Sequence, residues 1–135
     1  TVSRQQWLDV FNVNSVAPLM LAQVLHGNLE AKRGTFAIIS SRMGSIDEND
    51  SGSLYLYRSS KTAVNQVVKS LSIDLAEAGI KVVALHPGWV RTDMGGPQGD
   101  IDTHTSASGM RQVLAHLYPE DSGHFFNYDG AAVKW

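Results

Sequence analysis

The chain contains no cysteine. That excludes a disulfide framework, a thiolate zinc site and a cysteine nucleophile. It also lacks a surplus of basic charge. Eleven Lys and Arg stand against thirteen Asp and Glu, for a net charge of -2, so nucleic acid is not an expected partner. No uninterrupted apolar run approaches the roughly 18 residues that cross a bilayer. The opening residues do not read as a signal peptide. The expectation is a cytoplasmic protein with no membrane partner. Paired His-x-x-x-His and Gly-x-Ser-x-Gly are missing as well, and with them the usual signatures of a zinc site or a hydrolase elbow. Asp100-x-Asp102-x-His104 sits in a Gly/Pro-rich stretch and reads as a solvated loop or helix cap, with no metal implied. Repeats, linkers and low-complexity tracts are absent too. What remains is 135 residues, 43% apolar and 18% charged, the composition of one globular domain.

Hydrophobic spacing divides this chain into elements. Residues 3–28 carry Trp7, Val10, Phe11, Leu21, Val24 and Leu25 at helical intervals, with Ser3 as N-cap and Gly27 as stop. Pro18 lies inside this helix and predicts a kink. GTFAII at 34–39 is a short continuous apolar run, as expected of a strand buried on both faces. A polar loop rich in turn residues follows. Residues 57–78 return to helical spacing through Val64, Val67, Val68, Leu71 and Leu75, and Gly79 marks the end. KVVALH at 81–86 is a second continuous apolar run, closed by Pro87-Gly88. Strand, helix, strand predicts a βαβ unit in a parallel α/β sheet with a right-handed crossover. Beyond it, 104–117 reads as a helix and 124–128 as a short strand.

In parallel α/β sheets, ligands bind beyond the carboxyl ends of the strands. Ser40 and Ser41 end the first strand and Pro87-Gly88 the second, while the crossover helix starts at the same edge with Tyr57 and Lys61 in its first turns. Tyr57 and Lys61, four apart, share a helix face with Cβ atoms about 6 Å apart. A free phenol is a poor proton donor or acceptor at neutral pH, and a neighbouring ammonium favours the phenolate, so the pair is a candidate acid/base device. Alone, Tyr-x-x-x-Lys also arises by chance as a surface Tyr beside a solvated Lys. Its place at the sheet edge opposite a Ser is what raises it. Pro18 has no amide hydrogen and deprives the Asn14 carbonyl of its helical partner. Either a water or a Lys satisfies that carbonyl, or the kink leaves it solvated.

These motifs together resemble the short-chain dehydrogenase/reductase family, and within it the sniffer-type and C-factor-like carbonyl reductases. WLDVFNVNSVAP resembles the family's helix bearing the fourth catalytic residue, here Asn14. AIISSRMGSI resembles the strand and loop of the catalytic Ser, here Ser41. YRSSK is similar to the Tyr-x-x-x-Lys signature of Tyr57 and Lys61. HPGWVRTDMGG resembles the Pro-Gly motif and the Thr after it, giving Pro87, Gly88 and Thr92. The resemblance implies hydride transfer between a nicotinamide and a carbonyl carbon. Tyr57 would give the proton, and Lys61 would assist it and hold the nicotinamide ribose. Ser41 would polarise the carbonyl, and Asn14 would hold a relay water. Pro87, Gly88, the backbone of Val90 and the hydroxyl of Thr92 would border the cofactor, and Met43, Trp89 and Met94 are candidate walls for a small carbonyl or alcohol substrate. NADP(H) is implied in preference to NAD(H), as is a homo-oligomer packed through helices 3–28 and 57–78.

The spacing from Ser41 to Tyr57 exceeds the commonest one of the family by a few residues in the Asp47–Ser53 loop, which loops tolerate. The family's glycine-rich phosphate turn, its cofactor-choosing residue and its Asn-Asn-Ala-Gly stretch have no counterpart here. They would precede Thr1, in two to three βαβ units of on the order of 90 residues. The expectation is therefore the C-terminal, catalytic part of a doubly wound Rossmann-like domain, residues 1–135 being a single partial domain. Two other readings compete. One is a truncated or non-enzymatic assembly module that keeps the fold. The other is an unrelated hydrolase pairing Ser41 with a His, of which only His86 lies at this edge.

Overall fold

KVVALH forms the middle of the sheet because every residue from Val82 to Leu85 finds an apolar neighbour on its own face. A computed structural model describes residues 1–135, and in it Lys81–His86 is β2, with Val82, Val83, Ala84 and Leu85 all buried. β1 (Thr35–Ile39) pairs parallel on one side, Ile38 opposite Ala84. β3 (Phe125–Asn127) pairs parallel on the other, Phe125 opposite Ala84. The sheet order is β1-β2-β3. Four helical segments accompany it: α1 (Arg4–Phe11), α2 (Ala17–Lys32), α3 (Tyr55–Asp74) and α4 (Thr103–Ala115). α3 is the crossover. It buries Val64, Val68 and Leu71 against Ile38, Val82, Ala84 and Phe125. Each such side chain contributes roughly 1.5–3 kcal/mol on leaving water. The βαβ reading holds, and all three strands point their carboxyl ends to one edge.

Four expectations need correction. The first helix does not stop at Gly27. It runs on to Lys32 and ends where Arg33 turns left-handed at φ 47. The Gly34 N–H then reaches the Leu29 carbonyl at 2.8 Å, the long bond of a Schellman cap. Gly27 is simply tolerated in the helix interior, at about 1 kcal/mol against alanine. Pro18 does not stand at a free kink. Asn12–Val16 forms a π-helical turn just before it, with the Ala17 N–H bonded to the Asn12 carbonyl five residues back. Widening the turn is a known way for a helix to absorb a disturbed ladder. α3 ends at Asp74, and residues up to Gly79 (φ 71) form hydrogen-bonded turns.

The fourth correction concerns exposure. β1 is not buried on both faces: Ile38 is buried but Ile39 is 48% exposed. β1 is an edge strand, and a continuous apolar run carries no record of which neighbours lie on it. Along Arg4–Lys32 only Ser15 and Ala22 are buried, while Trp7, Leu8, Val13, Met20, Leu21 and Val24 are exposed. This 29-residue helix has a window of mean hydropathy 1.3 and so is long and apolar enough to cross a membrane. Asn12, Asn14 and Ser15 interrupt the apolar run but do not pull the window's mean down far enough to disqualify it.

Candidate active site

The β1 ladder continues one residue past the strand, with the Ser40 N–H donating to the Leu85 carbonyl at 2.8 Å. The chain then turns against α3. The Ser40 hydroxyl donates to Asn65 Oδ1 at 2.6 Å, and Asn65 Nδ2 donates to the Gly44 carbonyl at 3.3 Å. Both side chains are buried, so this pair of bonds fixes the turn after β1 to the crossover helix. Gly44 is required there: a Cβ would lie 2.8 Å from the Lys61 carbonyl carbon and Cβ. Ser41 is extended and buried, and its Oγ accepts from the Met43 N–H at 3.1 Å. The Ser41 hydroxyl proton remains free to be donated.

Ser41 and Tyr57 face one cavity of about 1040 Å³. Pro87, Gly88, Val90 and Thr92 line it, and so do Met43, Trp89 and Met94. Trp89 is half exposed and Met94 is 91% exposed, so neither is ordinary core packing. The Trp89 indole N–H donates to the Gly95 carbonyl at 2.8 Å, which fixes its ring at the rim. Gly88 has φ 87, and a Cβ there would strike Ile101 and Tyr128 within 3 Å, so glycine is needed for both conformation and space.

Lys61 and Asn14 stand behind the cavity wall. Lys61 Nζ lies 5.8 Å from the Tyr57 ring centroid and donates to the Ile39 carbonyl at 3.2 Å. Burial lowers its pKa from the ordinary lysine value. Asn14 Nδ2 donates to Ser60 Oγ at 3.1 Å, Ser60 Oγ donates to the Tyr57 carbonyl at 2.8 Å, and Ser15 Oγ donates to the Ser60 carbonyl at 2.8 Å. The π-helical turn thus grips α3 at the residue before Lys61. The Asn14 side chain contacts Ser60, and Lys61 Nζ is directed at β1.

The loop after β2 offers a fit for a nicotinamide carboxamide. Val90 forms a parallel bridge with Ile101, in which the Arg91 N–H donates to the Ile101 carbonyl at 2.9 Å and the Ile101 N–H to the Trp89 carbonyl at 3.3 Å. Such a bridge uses the residues on either side and turns the Val90 N–H and carbonyl to the opposite side. Neither has a backbone partner. The N–H is free to donate to a carboxamide oxygen, while the carbonyl already accepts from the Thr92 hydroxyl and lies against Gly95. The Thr92 hydroxyl accepts from the Gly95 N–H at 3.0 Å and points at the Val90 carbonyl at 3.4 Å, shaping this turn.

Several lining residues were not marked by the sequence pattern. Thr103, Ser106, Ala107 and Met110 form the stripe of α4 that faces the cavity, at the i, i+3, i+4, i+7 spacing that signals one helix face. Ser106 Oγ donates to the Pro87 carbonyl at 2.6 Å and docks α4 on the Pro-Gly turn. Asp102 is the N-cap of α4, its carboxylate accepting from the Thr105 N–H at 2.7 Å, as a cap and not a metal ligand. Arg42 and Glu48 line the cavity as an ion pair at 3.2 Å, and no local signal predicts their meeting. His86 lines it too. Its Nδ1 accepts the Arg42 N–H at 3.1 Å, and no His nitrogen bonds Ser41 Oγ, which removes the support for a Ser-His hydrolase. Burial first, and the Arg42 charge second, lower its pKa to about 4, against an opposing pull from Glu48.

The family model described as short chain dehydrogenase matches residues 1–102. C-signal of Myxococcus xanthus is 44% identical over 126 residues, covering 93% of this chain and 76% of that protein. Among solved structures, carbonyl reductase Sniffer of D. melanogaster superposes with a TM-score of 0.93 at 40% identity, over 100% of this chain and 59% of its own. The NADPH-bound carbonyl reductase from chicken fatty liver superposes with a TM-score of 0.92 at 35% identity, over 99% of this chain and 59% of its own. The chain therefore spans about three-fifths of the length of these two solved relatives.

Proposed function

The chain belongs to the short-chain dehydrogenase family, and on that premise we propose that it is the catalytic portion of a nicotinamide-dependent carbonyl reductase. The observation that carries the reading is the convergence of Ser41, Tyr57, Val90 and Thr92 on one cavity. When bound, the nicotinamide supplies or takes the hydride. The chain does the rest. The Ser41 hydroxyl donates to the substrate carbonyl oxygen and polarises it. Tyr57 gives that oxygen its proton on reduction and takes it back on oxidation. Lys61, close to the ring, is held by the Ile39 carbonyl, and its charge favours the phenolate that Tyr57 leaves behind. Asn14 steadies the turn of α3 that carries Lys61 and has a place in proton return to solvent. The Val90 N–H would hold the carboxamide, and Pro87 and Gly88 would border the nicotinamide. Met43, Trp89 and Met94 form adaptable apolar walls, suited to an aldehyde or ketone with a hydrophobic body. NADP(H) is favoured over NAD(H), in line with the chicken enzyme's bound NADPH.

The test is NAD(P)H oxidation with a panel of aldehydes and ketones, using the chain as its source expresses it. Tyr57→Phe is expected to lower kcat by about 10²- to 10⁴-fold and leave the cofactor dissociation constant within a few-fold of wild type. Equal turnover by the two proteins would rule out Tyr57 as the acid. A second reading, an assembly module, is favoured by the exposed apolar face of Arg4–Lys32. It predicts no turnover with either cofactor, and self-association through this helix and α3.

A further inference from the structure

His86 is the one cavity-lining side chain with a hydrogen bond to the peptide that follows Ser41. We propose that His86 is a positioning residue: its Nδ1 accepts the Arg42 N–H and thereby sets the Ser41 hydroxyl in the orientation the carbonyl substrate meets. This rests on the reductase reading above.

The geometry is specific. Ser41 is extended and Arg42 begins a single 3-10 turn, Arg42–Gly44. The Met43 N–H goes to Ser41 Oγ and the Gly44 N–H to the Ser41 carbonyl at 2.8 Å. Those bonds close the turn on itself but do not fix it relative to the sheet. Bonds to neighbouring elements do. Thr62 Oγ1 and Asn65 Nδ2 hold its far end through the Gly44 carbonyl at 2.8 and 3.3 Å, Arg58 reaches the Met43 carbonyl at 3.5 Å, and His86 holds its near end through the Arg42 N–H. Without His86 the Ser41–Arg42 peptide loses its one side-chain anchor, and Ser41 Oγ can turn with that peptide. Misplacement of a reacting group by an ångström costs about a hundredfold in rate.

A backbone N–H can only donate, so Nδ1 must be bare. The ring proton of neutral His86 is then on Nε2. Nε2 has no partner, and no unpartnered side-chain nitrogen of this chain is buried, so Nε2 is in contact with solvent. The burial and the Arg42 charge that oppose protonation keep the acceptor available at neutral pH. Two short side chains separate the possible roles. Asn Oδ1 sits the same number of bonds from Cα as His Nδ1 and can accept from Arg42. Leu has similar bulk and no acceptor.

The experiment compares wild type, His86→Asn and His86→Leu in the chain as its source expresses it, with two readouts: steady-state reduction and residue-resolved amide exchange at Arg42. The expected result is a tenfold to hundredfold loss of kcat in His86→Leu, an unchanged KM for the nicotinamide cofactor and faster Arg42 exchange, with His86→Asn within about threefold of wild type on all counts. If His86→Leu does not fold, His86→Ser, too short to reach, takes its place. Wild-type kcat in the Leu variant overturns the proposal. So does a loss in His86→Asn equal to that in His86→Leu while Arg42 stays protected. If wild type reduces no carbonyl at all, the reductase reading fails. The exchange readout then still decides the hydrogen bond: equal Arg42 exchange in all three proteins overturns it.

Discussion

At the scale of the residue, His86 gives a pH signature as well as a contact. Above pH 6.5 the imidazole is neutral in both folded and unfolded chains and has no effect on the balance. Between pH 6.5 and about 4 the unfolded chain takes up a proton that the folded one refuses. The folded state therefore loses stability as pH falls through that window, by about 2 kcal/mol after allowance for the ring's partial exposure. His86→Asn has no proton to take up and should lose less stability on acidification. Urea melts of both proteins at pH 7 and pH 4.5 measure the difference, and parallel losses would show that His86 carries none of it. Tyr57, Lys61 and Ser41 are legible in the sequence because helix spacing and strand ends place them by short-range rules. His86 was legible as a residue of this edge, but its bond to the Arg42 N–H was not, because the two meet only once β2 lies beside β1, and the Arg42–Glu48 pair depends on how the loop after β1 folds.

At the scale of the element, the Asn65 bridge joins β1 to α3. Its amide holds the Ser40 hydroxyl and the Gly44 carbonyl inside a buried layer. Asn65→Leu keeps the bulk and strands the Ser40 hydroxyl, while Thr62 Oγ1 still donates to the Gly44 carbonyl at 2.8 Å. It should cost about 1–3 kcal/mol, on the scale of one stranded polar group. Thermal unfolding checks the cost, and an unchanged Tm would mean that solvent reaches the turn. The strands of the βαβ unit were readable from GTFAII and KVVALH, since fully apolar runs bounded by turn residues have few other uses. That one face of β1 lies open at Ile39 was not readable, because apolarity does not name the neighbour. The π-helical turn was not readable either. Pro18 announces a disturbed ladder but not how the helix absorbs it, and the answer depends on Asn14 and Ser15 finding Ser60 on α3.

At the scale of the whole molecule, the proposed nicotinamide and carbonyl subsites share one cavity. No strand-turn-helix with a glycine-rich phosphate turn accompanies them in these 135 residues. The 135-residue chain alone should bind NADP(H) at least about tenfold more weakly than a chain extended upstream, because the pyrophosphate lacks its helix N-terminus. Fluorescence titration of the two settles this, and equal affinities would mean that the pyrophosphate contributes nothing. The exposed apolar face of Arg4–Lys32 and the unpaired edge of β1 belong to the same scale. Both are surfaces that proteins ordinarily keep covered.

The parallel ladder has a consequence for how the site comes into being. β1 cannot meet β2 until the whole of α3 has been made and folded back, and β3 must wait again for α4. No hairpin joins two of the three parallel strands, so the loop-closure entropy is met before any bond between them returns it. Ser41 hangs on the first strand, Tyr57 on the crossover and Val90 beyond the second strand. An unfinished chain, however helical, has no cavity, and Ser41, Tyr57 and Val90 come together only once the crossover has closed.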